Sequence, residues 1–96
     1  ILKASEEIDE RLWPLPLNEH YMDEMKSDVA DLKNIGEGRN AGTIRGGVFL
    51  SSFIRKSRWA HLDIAGVSWN HKKSGCQPKY ASGFGVRLFV NLCQKI

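Results

Sequence analysis

WAHLDIAG, Trp59–Gly66, decides how this chain is read. As an extended segment it alternates, with Ala60, Leu62 and Ile64 pointing one way and Trp59, His61, Asp63 and Ala65 the other. That reads as a short, central strand with a histidine and a carboxylate on one face. One strand cannot make a sheet, so its partners are expected to lie outside these residues.

Working outward, Ala41 to Arg55 is predicted as a helix, with Ile44, Val48 and Phe49 on one apolar face and Leu50, Phe53 and Ile54 widening it. Gly42, Gly46 and Gly47 oppose it at about 1 kcal/mol each, so close packing against them is expected. Beyond the strand, Val67 to Ser82 is rich in Lys, Gly and Ser and reads as a long loop. Gly85 to Lys95 closes the chain as an amphipathic helix in which Val86, Phe89, Val90 and Cys93 follow i, i+3, i+4, i+7 and cover a core. Upstream, Ser5 to Arg11 favours a short acidic helix, stopped by Trp13-Pro14-Leu15-Pro16 because proline lacks an N–H and biases its predecessor towards extended geometry. Leu17 to Lys26 reads as another helix, with Asn18 as N-cap and Leu17, Tyr21, Met22 and Met25 on one face. The stretch SDVADLKNIGEGRNAG mixes Val29, Leu32 and Ile35 with turn residues and reads as an irregular loop.

The 96 residues suffice for one small domain with a thin stability margin. The net charge of +3 conceals an asymmetry: residues 1–37 carry net −6 and residues 38–96 net +9. Either the two parts neutralise one another within the fold or the basic part meets an anionic partner. Cys76 and Cys93 sit in no zinc or CxxC spacing and are read as reduced thiols. No apolar run approaches a membrane span and no secretory leader opens the chain, so the default expectation is cytoplasmic. The chain opens on Ile1, inside a predicted helix, and is expected to be a fragment.

Candidate chemistry is sparse. His61, Asp63 and Ser68 suggest a nucleophilic triad. His61 and Asp63, however, leave one strand in parallel about 6.6 Å apart, and no G-x-S-x-G turn surrounds Ser68. Structural hydrogen bonds are the preferred reading. A metal site from His61, Asp63, Asp28, Asp31 and His71 lacks a recognised ligand spacing. Arg55, Lys56, Arg58, Lys72, Lys73 and Lys79, with Trp69 and Tyr80 nearby, suit nucleic-acid backbone contact and base stacking. They fall on two separate loops, and solvated loops facing the acidic first part are preferred. A non-enzymatic module that holds nucleic acid or another anionic surface remains the alternative function.

LWPLPLNEHY, KSDVADLKNIG, RNAG, VFLSSF, WAHLDIAGVSW and GFGVRL, in this order over nearly the whole chain, resemble the C-terminal part of the leucyl (cytosol) aminopeptidases of the M17 metallopeptidase family. The resemblance implies an α/β catalytic domain with helices packed on a mixed sheet, to which this segment contributes about one strand. It implies hydrolysis of N-terminal residues from peptides by two divalent metal ions, Zn or Mn with Mg as a further option. The family's ligands and catalytic groups lie in upstream motifs such as NTDAEGR, so none is expected in residues 1–96. By position in the matched motifs, Ala65 lines the pocket for the side chain being removed, with Ser68 as a second lining residue. Ile35 matches an apolar residue of the pocket for the next substrate residue, its other reading being a core isoleucine. His71 stands where some relatives carry an aromatic pocket residue. Arg45 and the Gly46-Gly47 pair depart from the small helix formers usual there, and KKSGCQPKYAS departs from a short connection. A homohexamer is implied, with peptide substrates, no membrane association and nucleic acid disfavoured.

Overall fold

The computed structural model describes residues 1–96 apart from Glu37. Its elements, in order, are α1 (Leu2–Glu7), α2 (His20–Asp23), α3 (Gly42–Ser51), β1 (Trp69–Asn70), β2 (Tyr80–Ala81) and α4 (Val86–Cys93). They fall into two compact units: one made of Ile1–Pro14 with Asp63–Ile96, the other of Leu15–Leu62.

The first unit joins α1 to α4. α1 begins three residues before the predicted Ser5, and it ends before Arg11 because Asp9 turns left-handed (φ 54°) and stops it. The Asp9 N–H then reaches the Glu6 carbonyl at 3.3 Å and the Glu10 N–H the Ser5 carbonyl at 3.1 Å, a Schellman ending that satisfies the last carbonyls. The turn delivers Glu10 inward, where it is 7% exposed. The N-cap of α4 is Gly85, which adopts φ 94° and has no side-chain oxygen to cap the helix. Glu10 supplies one: its Oε2 accepts the N–H groups of Gly85 at 3.1 Å and Leu88 at 3.3 Å, and its Oε1 accepts Arg87 Nε at 3.2 Å. A carboxylate is favoured there by the partial positive charge of a helix amino end. Further along, Asn91 Nδ2 donates to the Ala4 carbonyl at 3.0 Å and to Glu7 Oε2 at 3.1 Å, and Lys95 Nζ stands 2.7 Å from Glu7 Oε2. Hydrogen bonds from Lys95 and then Asn91 hold the Glu7 carboxyl below its ordinary range.

These bonds fix which side of α4 faces α1. Leu88 is fully buried and Leu92 half-buried. The predicted stripe instead faces outward, with Val86, Phe89 and Val90 exposed. A remote cap and an asparagine clamp, invisible in the apolar spacing, select the rotation.

The second unit packs α2 against α3 around Met25 and Val48. α2 is a single turn, shorter than the predicted Leu17–Lys26 helix, and Asn18 Oδ1 accepts the His20 N–H at 3.0 Å one residue before the observed N-cap, Glu19. Lys26 lies 2.7 Å from Asp23, whose carboxyl is lowered by that hydrogen bond while the Lys26 ammonium is raised by it. α3 ends four residues before Arg55. The Ser51 and Ser52 hydroxyls both donate to the Val48 carbonyl, at 2.7 and 3.1 Å, competing for the acceptor that a continuing helix would use. The expected tight packing occurs at Gly47, where a Cβ would meet Leu17 Cδ2 at 3.1 Å and His61 Cδ2 at 3.7 Å. At Gly42 and Gly46 a Cβ would meet nothing within 4 Å. Arg45 pairs with Glu24, and its stem lies so close to Gly36 that a Cβ there would sit 2.7 Å from Arg45 Cδ.

Glu10–Arg87, Glu7–Lys95 and Glu24–Arg45 each join an acid from residues 1–37 to a base from residues 38–96. Part of the charge asymmetry is thus neutralised inside each unit.

Residues 59–64, predicted as a strand, lie outside the helices and strands. A ladder needs a neighbour, and none runs beside them among the described residues. The sheet seen is instead a two-stranded antiparallel ribbon, with Trp69 opposite Ala81 and Asn70 opposite Tyr80, inside the predicted loop. Ser74 and Gln77 bridge near its tip.

Candidate functional site

The turn that follows the WAHLD segment is built from short-range bonds. Asp63 Oδ1 accepts the Ala65 N–H at 3.0 Å. The Ile64 carbonyl then accepts two N–H groups, from Val67 at 3.0 Å and Ser68 at 2.9 Å. At Gly66, in the middle of the turn, a Cβ would meet nothing within 4 Å.

A second set of bonds fastens this turn to the far strand of the ribbon. The Ser82 N–H donates to the Ser68 carbonyl at 3.0 Å, and the Ser82 hydroxyl to the Val67 carbonyl at 2.6 Å. Ser82 Oγ in turn accepts the Phe84 N–H at 3.1 Å. Asn70 Nδ2 donates to the Pro78 carbonyl at 3.0 Å, closing the ribbon one step further out. Neither Ser82 nor Asn70 stood out from the spacing of residues. The only local signal was a serine two residues before Phe84, the pattern of a hydroxyl turn.

Ala65, on this turn, is exposed. Ser68 is half-buried, with its hydroxyl 3.4 Å from the Ala65 carbonyl. His71 is exposed at the start of the ribbon loop. These three belong to the first unit, whereas Ile35, 77% exposed, lies in the second.

His61 and Asp63 each have a separate structural partner. The His61 ring stacks on Trp59 at 6.3 Å between centroids and packs beside Gly47, while Asp63 shapes the Ala65 turn. Among the described residues, no group of three or more His, Cys, Asp or Glu side chains could hold a metal ion. A cavity of about 310 Å³ in the second unit is lined by Asp23, Glu24, Lys33 and Arg45. Asp23 and Glu24 already pair with Lys26 and Arg45, so their charges are directed at neighbours.

Comparison with known proteins covers nearly the whole chain. Residues 1–90 match the model of the cytosol aminopeptidase family, catalytic domain. A probable cytosol aminopeptidase of Geobacter sulfurreducens is 58% identical over 88 residues, 92% of this chain and 18% of that protein. One from Chlamydia abortus is 47% identical over 97 residues, 99% of this chain and 19% of that protein. The crystal structure of the cytosol aminopeptidase from Coxiella burnetii superposes with a TM-score of 0.85 at 36% identity, over 98% of this chain and 21% of that one. The chain spans about a fifth of the length of these relatives. It belongs to the cytosol aminopeptidase family and corresponds to a C-terminal piece of an α/β catalytic domain.

Proposed function

We propose that this chain is part of a two-metal-dependent leucyl aminopeptidase hydrolysing N-terminal residues from peptides, and that residues 1–96 supply pocket walls and scaffold within a single catalytic domain. The observation that carries this reading is the family match over residues 1–90. In such an enzyme, divalent ions activate water and stabilise the tetrahedral intermediate. The described residues offer no cluster for them, and we place the ligands outside residues 1–96.

The chain's own contribution is then to receive the substrate side chain. Ala65 projects only a methyl group from a turn held by Asp63 and Ser82, leaving room for a leucine-sized side chain. Ser68 and His71 follow on the same side of the sequence as further lining, and Ile35 serves the next substrate residue. Many large apolar side chains are exposed, Trp13 at 87% and Val29 at 96% among them, which supports further protein surface packing against this piece. We place the enzyme in the cytoplasm as a homohexamer acting on peptides; among the described residues no helix is long and apolar enough to cross a membrane.

The test is to express residues 1–96 alone and with the native upstream sequence, then assay leucine amide with Mn²⁺ or Zn²⁺. Activity is expected only in the longer chain. Turnover by residues 1–96 alone would overturn the placement of the ligands, and none in the longer, metal-loaded chain would overturn the aminopeptidase reading.

A further inference from the structure

We infer that Ser82 is a positioning residue for the side-chain pocket: its hydroxyl fixes where the wall carrying Ala65 and Ser68 stands, and so how well a leucine-sized side chain is held. This role rests on the pocket reading proposed for Ala65 and Ser68. The bonds internal to the turn, from the Ala65 N–H to Asp63 and from the Val67 and Ser68 N–H groups to the Ile64 carbonyl, join residues no more than four apart. They set the turn's shape. Its place within the unit needs a longer reach, which the returning strand of the ribbon provides.

That strand holds the turn by two kinds of bond. Beyond the ladder pair of Trp69 with Ala81, the Ser82 N–H donates to the Ser68 carbonyl at 3.0 Å, a backbone bond open to any residue except proline. The hydroxyl reaches one carbonyl further: Ser82 Oγ donates to the Val67 carbonyl at 2.6 Å, across 15 positions of sequence. The same oxygen accepts the Phe84 N–H at 3.1 Å. A single side-chain atom that both donates and accepts in this way is a hydroxyl. Alanine can make neither bond, and threonine can make both.

Ser82 also ties the wall to a fixed point. Phe84 precedes Gly85, whose N–H is accepted at 3.1 Å by the buried Glu10 carboxylate at the start of α4. From Glu10 through Gly85, Phe84 and Ser82 to Val67, hydrogen bonds and peptide links alternate without a gap. Ser68, Ser82 and Phe84 are all half-buried, so water competes less for these bonds than at an open loop. The Val67 and Ser68 N–H groups share the Ile64 carbonyl, and a shift of the Val67 carbonyl therefore carries the wall with it. A leucine side chain extends into the space beside that wall, whereas an alanine methyl stops short of it. Loss of the hydroxyl should accordingly weaken the grip on leucine and largely spare alanine.

The experiment compares wild type, Ser82→Ala and Ser82→Thr on leucine amide and alanine amide, using the metal-loaded chain with its native upstream sequence. Ser82→Ala is expected to raise KM for leucine amide about tenfold with kcat changed far less, and to lower the leucine-to-alanine ratio of kcat/KM by a similar factor. Hydrogen exchange at the Phe84 amide should accelerate in the same variant. Ser82→Thr should restore all three. An equal loss on both substrates, a loss that threonine does not restore, or an unchanged Phe84 amide in Ser82→Ala overturns the inference alone. Ala65→Phe, measured beside them, reads the pocket separately: equal losses on leucine amide and alanine amide there overturn the pocket reading and this inference with it. Failure of the wild type to turn over leucine amide overturns the aminopeptidase reading and everything built on it.

Discussion

Glu10 caps the helix that carries Leu88: its Oε2 accepts the Leu88 N–H at 3.3 Å across 78 positions of sequence, and also the Gly85 N–H. Replacing it by alanine leaves two inward-facing N–H groups without that acceptor. Glu10→Ala is expected to cost about 1–3 kcal/mol of local stability. Hydrogen exchange at the α4 amides should accelerate accordingly, while Glu10→Gln, which keeps an acceptor oxygen, should cost less. Unchanged protection at Leu88 in Glu10→Ala would show that the cap is dispensable.

Arg45 and Gly36 should behave as a coupled pair. A methyl group at position 36 would intrude on the Arg45 stem at 2.7 Å and displace the guanidinium from Glu24. Gly36→Ala is expected to destabilise by about 1–2 kcal/mol, and by much less in an Arg45→Ala background. A double-mutant cycle by denaturant unfolding reads the difference directly.

The glycines of α3 separate cleanly. Gly46 has open space around it, so Gly46→Ala should stabilise the helix by about 0.5–1 kcal/mol. Gly47 faces Leu17 and His61, and Gly47→Leu should destabilise by overpacking, about 1–3 kcal/mol. Paired urea midpoints decide both; equal effects at the two positions would contradict the packing described.

The Glu7–Lys95 contact gives α1 and α4 a pH-dependent link. Because the folded Glu7 carboxyl lies below its ordinary range, its contribution is complete above that range and is lost as pH falls through the lowered folded value. NMR titration of Glu7 should show its midpoint moving back up in Lys95→Met, and partly in Asn91→Ala. The exposed geometry makes the effect salt-sensitive.

Ala65 should govern which residue is removed. In the proposed enzyme, Ala65→Phe is expected to lower kcat/KM for leucyl substrates by about 10–100-fold while alanyl substrates lose far less, since a ring fills the space a leucine needs. Equal losses for both would make Ala65 structural.

Sequence pattern anticipated α3 and α4 as elements because their local apolar spacing is strong. It did not anticipate which face of α4 packs: Val86, Phe89, Val90 and Cys93 make the more conspicuous stripe, yet Leu88 is buried. That choice depends on Glu10 and Asn91 reaching α1 and α4 from opposite parts of the sequence. Locally, Glu10 resembles any solvated helix acid, and its role emerges only when Gly85 arrives without a cap of its own. The WAHLDI alternation describes a strand whose ladder depends on neighbours beyond the pattern itself. Ala65, Ser68, Ile35 and His71 were indicated by family resemblance, because small or apolar pocket walls carry no ionisable signature.

The bond from Glu10 to α4 also sets an order of events during synthesis. The first unit draws on two separate stretches, Ile1–Pro14 and Asp63–Ile96, whereas the second is one continuous stretch, Leu15–Leu62. On the ribosome, the second unit's residues are all available before α4 has been made. Glu10 must wait with its carboxylate unmatched until Gly85 and Leu88 emerge. The α4 residues therefore act as a latch: until they have been made, α1 lacks the helix it packs against.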